Sequence, residues 1–227
     1  MARKITGVLF VLLFVVGLGI LLYPTISDRW NAYRQSQLIS NYEEAVAQLD
    51  PETHEEMWVQ AQQYNAGLWL KANRYEMTDE ERAEYEGCLN LEGNGIMGSI
   101  EIPKIKCTLP IYHGTEEDVL QIAVGHLEGT SLPVGGEGVH CVLSGHRGLP
   151  SAKLFTNLDQ LEIGDTFLLK ILGETLTYEI DQILTVLPEE MESLELFEGE
   201  DYCTLVTCTP YGVNSHRLLV RGKRVAE

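Results

Sequence analysis

The chain has 227 residues, enough to bury one sizeable domain with an appendage but too few for two full-sized domains. Sixteen Lys and Arg against thirty-four Asp and Glu leave a net charge of −18, which argues against a nucleic-acid partner, since such a partner demands a basic face. Apolar residues at 44% and aromatics at 8% exclude bulk disorder, and five cysteines, an odd number, exclude a fully paired disulfide framework.

Arg3 and Lys4 precede an unbroken apolar run from Ile5 to about Tyr23, closed by Pro24. As a helix, about twenty apolar residues span a hydrocarbon core of ~30 Å. The run exceeds the apolar region of a secretory signal, and the residues after it offer no Ala-x-Ala cleavage site. A buried core helix would show a polar face, and this run has none beyond Thr6. Residues 1–27 are therefore expected to be a cytoplasmic stub and an uncleaved transmembrane signal anchor. With the positive charges on the N-terminal side, the rest of the chain works outside the cell membrane.

Residues 28–92 read as helical. Trp30, Tyr33, Leu38, Tyr42, Ala45 and Leu49 recur at three-to-four spacing over 28–49, and Asp50-Pro51 ends that helix. Thr53 and Glu56 have the spacing of a capping box for a second helix, whose face carries Met57, Ala61, Tyr64, Leu68 and Ala72. A short third helix is expected from Thr78, boxed by Glu81, to Gly87. Residues 41–92 hold thirteen acidic and three basic residues, the pattern of a solvated face on packed helices, with a gate or partner surface as the sharper alternative. No internal repeat appears, which excludes a solenoid.

From 93 to 227 the texture changes to short β-like runs between Gly, Pro and Asn. Strands are expected at Met97–Ile102, Cys107–Tyr112, Val139–Ser144, Thr166–Leu172, Thr175–Val186, Cys203–Cys208 and Arg217–Val225. Helical turns are expected over Ala152–Leu158, capped by Ser151, and over Glu117–Gln121. Many short strands with few helices predict an antiparallel β-barrel or sandwich.

Two segments concentrate the chemistry, Leu143–Pro150 and Thr204–Val220. Cys208 ends one expected strand and Arg217 opens the next across an eight-residue loop, 209–216. Paired as a hairpin, the two side chains sit opposite each other, with Cβ atoms about 5 Å apart. A guanidinium beside a thiol favours the thiolate and supplies donors to an acyl oxygen. A histidine from another loop, His146, would act as acid and base. The bland alternatives are weighty: a lone Cys on a strand is more often a small core hydrophobe, and Cys88, Cys107, Cys141 and Cys203 keep that reading. His146 alone fits a satisfied buried histidine, and Arg217 alone a surface cation. A zinc site from Cys203, Cys208 and His216 fails on spacing, because no Cys-x-x-Cys pair exists.

Thr204-Leu-Val-Thr-Cys208 resembles the T-L-x-T-C signature of the sortases, membrane-anchored cysteine transpeptidases of Gram-positive bacteria. Leu143–Leu154 resembles the segment around the catalytic histidine of the pilus-building class C subgroup, and the stretch from Cys208 to Arg224 fits the same subgroup. Gly98–Ile105, Leu109–Gly114 and Gly125–Leu132 extend the resemblance over roughly Gly95 to Val225. The resemblance implies a mainly-β, eight-stranded barrel with short helices, preceded by the N-terminal helices and the transmembrane segment. It implies that Cys208 attacks the Thr–Gly carbonyl of an LPxTG-like sorting signal. His146 then protonates the leaving amine and deprotonates the incoming one, while Arg217 holds the carbonyl and stabilises the oxyanion. The implied partners are a pilin or surface protein bearing that signal, and an amine acceptor, either a pilin lysine or a peptidoglycan cross-bridge. No cofactor and no metal are implied at the site. His113, His126 and His140 are expected to be structural, and His216 to shape its loop.

Two features depart from the subgroup. Its usual Asp-Pro-Trp or Asp-Pro-Phe lid is missing: the only Asp-Pro is Asp50-Pro51, followed by Glu52. The place for a lid remnant is 74–90, which has no aromatic plug motif, so truncating it is expected to change little. Many members also carry a C-terminal membrane helix, whereas this sequence stops at Glu227, soon after the last strand; a single anchor and a shortened chain both stay open. The acidic run from Glu189 to Asp201 invites calcium, yet one charge run does not make six to eight converging oxygens, and a solvated loop is expected. Three functions follow: pilus polymerisation, anchoring of protein to the cell wall, and a non-catalytic tethered scaffold. An intact set of Cys208, His146 and Arg217 counts against the last.

Overall fold

The computed structural model describes residues 2–225; Met1 and the last two residues, the outer limits of the expected stub and catalytic domain, lie outside the described residues. α1 is a single helix, Ala2–Ala47. It contains a window of mean hydropathy 2.5, unburied, and is long and apolar enough to cross a membrane. Pro24 was expected to close the apolar segment, but it lies inside the helix. A proline removes one backbone hydrogen bond without forbidding continuation on either side, so the expected helix over 28–49 is the outer half of α1.

α2 spans Pro51–Leu68. Its cap is Asp50, whose carboxylate accepts from the Glu52 and Thr53 N–H groups at 3.1 and 3.0 Å, with Pro51 preset in the first turn. The expected Thr53–Glu56 box is therefore overturned: Thr53 is already helical and donates its hydroxyl to Asp50. Ala72 lies beyond the end of α2. α3, Asp79–Gly87, has the expected Thr78–Glu81 capping box. Residues 74–90 are packed inward rather than loose. Tyr85, Cys88 and Leu89 are fully buried, and the Tyr85 hydroxyl lies 2.9 Å from His126 Nδ1 and accepts from the Gly114 N–H at 3.0 Å.

Eight strands close into one barrel in the order β1-β2-β3-β4-β7-β8-β6-β5. They are β1 Ile96–Ile102, β2 Cys107–His113, β3 Val124–His126, β4 Val139–Ser144, β5 Thr166–Ile171, β6 Glu174–Val186, β7 Asp201–Thr209 and β8 His216–Arg224. Seven match the strands read from sequence. The eighth, β3, has only three residues, too few for an alternation to show. Two of the pairings, β2 with β3 and β4 with β7, are parallel, so the expected all-antiparallel ladder is corrected to a mixed barrel. α4, Glu117–Leu120, occupies the expected helical turn. The other expected turn, over 152–158, is not a helix. A 3-10 turn forms instead at Leu158–Gln160, and Ala152, Leu154 and Phe155 are each buried. Packing of those side chains outweighs the local preference for a helix.

Alternation along β4, β7 and β8 gives the barrel two faces. Cys141 and Leu143, Cys203 and Leu205, and Leu218 and Val220 point into the main core. Val142, Val206 and Leu219 point outward, where Leu184, Val186, Met191 and Leu194 form a second, smaller apolar cluster with them. Cys208 and Arg217, singled out in the sequence, share the parity of this outer face.

Candidate active site

Cys208 and Arg217 are cross-strand partners in the antiparallel β7–β8 pair, as the hairpin spacing predicts. Cys208 shares its parity with Val206, and Arg217 with Leu219, so both belong to the outer face. His146 reaches the same place through the parallel β4–β7 pair. Ser144, two residues before His146, is level with Val206, two residues before Cys208. β4 has ended by then, but the chain stays on course: the Gly145 N–H donates to Val206 O at 3.0 Å, and the Thr207 hydroxyl donates to Gly145 O at 2.7 Å. The structure thus brings all three residues singled out in the sequence to one end of one sheet.

The loop after His146 is held from several sides. The Phe155 N–H donates to His146 O at 3.1 Å, and the Gly148 N–H to the Thr156 hydroxyl at 3.1 Å. Arg147 donates to Asp159 at 2.5 Å and to the Thr209 hydroxyl at 3.3 Å, and its guanidinium lies 5.9 Å from the Tyr211 ring centre. Gly145 is required by space, because a Cβ there would meet the Phe155 ring at 2.7 Å. His146 Nε2 lies 3.6 Å from the Glu117 carboxylate, beyond hydrogen-bond reach, and is buried without a partner among the described residues. Glu117 carried no signal in the sequence; its nearness depends on α4 folding back over β3. Arg217 donates through Nη1 to Asn214 O and His216 O at 3.3 and 3.2 Å, so the hairpin loop itself orients the guanidinium.

A cavity of about 240 Å³ extends from Arg217 along the outer face. Its walls are apolar, from Leu120, Leu127, Val142, Val186, Leu187, Val206 and Leu219, with Ser144, Thr115 and Glu190 as polar points. An extended peptide with small apolar side chains fits such a wall chemically, with its carbonyl delivered to a nucleophile and a fork of donors at one end.

The remaining cysteines and histidines have other fates. Cys88, Cys107, Cys141 and Cys203 are buried, whereas Cys208 is half-buried. Burial pushes the Cys88 thiol up to about 11 and the Cys107 thiol up to about 12, which leaves neither nucleophilic near neutral pH. His113 lies between Gly95 O and Cys88 O at 3.0 and 2.8 Å, and His126 Nε2 lies 2.8 Å from Ser131 O. His140 donates from Nδ1 to Glu195 O at 2.7 Å and accepts from the Thr204 hydroxyl at 2.8 Å, and burial lowers its imidazole to about 4. His216, expected to shape the loop, is instead the first residue of β8, paired with Thr209, and its Nδ1 lies 2.8 Å from the Ser215 hydroxyl.

The acidic run disperses. Glu190 caps the Leu187 N–H, Glu195 pairs with Arg74, Glu200 pairs with Lys223, and Asp201 accepts from Gly136 N–H and Tyr178 OH. Among the described residues no three His, Cys, Asp or Glu side chains group to hold a metal ion.

A family model described as the sortase domain matches residues 100–225. The crystal structure of sortase C1 from Streptococcus agalactiae is 49% identical, with a TM-score of 0.82 over 84% of this chain and 99% of that one. Sortase C of Streptococcus pneumoniae, whose structure is described as informing catalysis and pilin substrate specificity, is 48% identical, with a TM-score of 0.76 over 84% and 97% of the two chains. Sortase C of Clostridium perfringens, solved with the C-terminal cell wall sorting motif, is 42% identical, with a TM-score of 0.74 over 85% and 100%. The chain belongs to the sortase family, the cysteine transpeptidases, and its structural neighbours are class C sortases.

Proposed function

We propose that the protein polymerises pilin: it cleaves an LPxTG-like sorting signal between Thr and Gly and transfers the acyl group to a pilin lysine. The observation that carries this reading is the convergence of Cys208, Arg217 and His146 on one end of the sheet, where Arg217 also lines an apolar groove on the outer face. The pilin acceptor rests on the likeness to class C sortases, of which the pneumococcal one is described with pilin specificity. α1 serves as the membrane anchor, with 28–92 as a helical region and 93–227 as the catalytic barrel outside.

In this mechanism the signal lies along the groove with its scissile carbonyl at the Arg217 guanidinium. The Cys208 thiolate adds to the carbonyl carbon, and the negative charge that develops on oxygen is met by Arg217 donors. Protonated His146 gives its proton to the glycine amine, the C–N bond breaks, and a thioester remains on Cys208. A lysine amine then adds to the thioester, His146 takes its proton, and the Cys208 sulfur leaves, completing an isopeptide bond.

The test is to incubate the full-length protein, in detergent or vesicles, with a pilin bearing an LPxTG signal, and Cys208→Ala alongside. The expected result is a ladder resistant to SDS, joined through a pilin lysine and missing in the variant. A Cys208-linked acyl adduct without a ladder, converted to product by cross-bridge amines, would assign the enzyme to wall anchoring. Neither adduct nor ladder from folded protein would leave only the tethered scaffold.

A further inference from the structure

The order in which α1 meets the barrel fixes which end of the barrel faces the bilayer. One end carries the β4–β5 connection and the β7–β8 loop, with His146 and Cys208 at their roots. The opposite end carries the β5–β6 turn at Leu172 and Gly173. Leaving its apolar segment at Pro24, α1 first touches the active-site end: Asp28 accepts from the Lys153 N–H at 3.0 Å, and Asn31 donates to Ser151 O at 2.8 Å. Only later does it touch the far end, where the Tyr42 hydroxyl donates to Met97 O at 2.8 Å and accepts from the Leu172 N–H at 2.9 Å. The eighteen residues from Pro24 to Tyr42 rise about 27 Å, and the seven from Pro24 to Asn31 about 10 Å.

The headgroup layer on each side of a bilayer is about 5–8 Å thick. The loops that meet Asp28 and Asn31 therefore stand at its outer edge. Residues nearer the apolar segment stand within it. A cavity of about 450 Å³ opens between Pro24 and Thr25 on α1 and Leu149, Pro150 and Tyr211 on the active-site loops. Side chains at this end are ones that water does not favour: Tyr211 is 60% and Val213 69% exposed. Trp30, 60% exposed and about 9 Å along α1 from Pro24, stands at the outer edge of the headgroup layer, where aromatic side chains favour the membrane interface. Arg29 is exposed there too, in a chain whose net charge is −18, and suits anionic phosphate headgroups, while the exposed Lys153 ammonium lies 3.5 Å from the Asp28 carboxylate.

We infer that the active-site end of the barrel lies on the phospholipid surface, with the β7–β8 loop in the headgroup layer of the bilayer that α1 spans. The inference rests on α1 being the membrane anchor. The catalytic mouth then works at the lipid surface rather than out in the wall. A donor must present its scissile bond at that depth.

The test uses the full chain carrying Cys208→Ala, so that the four remaining natural cysteines are buried, with one added cysteine for an environment-sensitive fluorophore. Three sites are compared in vesicles of phosphatidylcholine and phosphatidylglycerol: Val213→Cys on the loop, Glu174→Cys at the far end, and Leu12→Cys within α1. Lipids with a nitroxide on the headgroup are expected to remove most of the emission at 213 and leave 174 bright. Lipids with a nitroxide deep in the acyl chain should quench the label at 12. Quenching at 12 with none at 213 overturns the inference while the anchor stands. No quenching at 12 removes the anchor and the inference with it. A 213 label insensitive to lipid but protected by a sorting-signal peptide would assign the loop to substrate and also overturn it.

Discussion

Cys203 and Cys208 lie five residues apart on the same strand, and the two faces of that strand give them opposite chemistry. Cys203 points into the barrel opposite Cys141 and is sealed from water. Cys208 is half-buried and faces outward, opposite Arg217, which lines a groove. Identical side chains become filler on one face and a candidate nucleophile on the other because parity and neighbours, rather than residue type, set exposure and charge. The same contrast runs through the sheet. Leu143, Leu205 and Val220 close the interior, while Val142, Val206 and Leu219 on alternate positions build the wall of the outer groove.

The sharpest way to break this comparison is to exchange the fates of the two thiols. Cys208→Ala should lower transpeptidation by roughly 10⁴-fold or more with the fold intact, as loss of a nucleophile does. Cys203→Ala should keep turnover and lose about 1–2 kcal/mol of stability to a small cavity. Turnover assays and urea denaturation of both variants check the pair. Arg217→Lys keeps the charge but loses the planar fork, and should cost about 10²–10³-fold in kcat. A change confined to KM would contradict the oxyanion role.

A smaller effect tests how His146 is held. Thr207→Val removes the hydroxyl that donates to Gly145 O, at nearly constant shape. It should cost about 1 kcal/mol of stability and lower kcat more than it raises KM; unchanged kinetics would show that the Gly145–Val206 bond alone suffices.

A last test, of stability rather than turnover, concerns the wall behind the groove. His140 is buried neutral with its imidazole near 4, below the 6.5 of an exposed histidine. The unfolded chain therefore takes up this proton first as pH falls. Its contribution is fully present above 6.5 and is lost on the way down to about 4. The loss approaches about 3 kcal/mol at the low end. Urea unfolding at pH 7 and pH 5 should show wild type losing more stability than His140→Asn. An equal loss would place the acid sensitivity elsewhere.

Much of this was legible because it is local and periodic. The β7–β8 hairpin follows from two apolar runs around a loop with Pro, Gly and Asn, and that spacing alone puts Cys208 opposite Arg217. What escaped depends on contacts distant in sequence. The three residues of β3 owe their strand to partners on either side. Ala152, Leu154 and Phe155 look helical in isolation but serve as separate plugs in the barrel end. Glu117 nears His146 only through the path of the β2–β3 connection. Residues 74–90, read as a dispensable remnant, contribute Tyr85 and Leu89 to the core and tie Arg74 to Leu194 O at 2.9 Å. Their deletion should therefore unfold the protein rather than leave it unchanged, which circular dichroism would show directly.

The most direct measurement is intact-mass and peptide-mapping analysis of the full-length protein after brief exposure to a peptide bearing the LPxTG signal. The account predicts one added acyl group, carried as a thioester on Cys208, released by hydroxylamine and missing in Cys208→Ala. An acyl group on any other residue, or product formed by the Cys208→Ala variant, would contradict it.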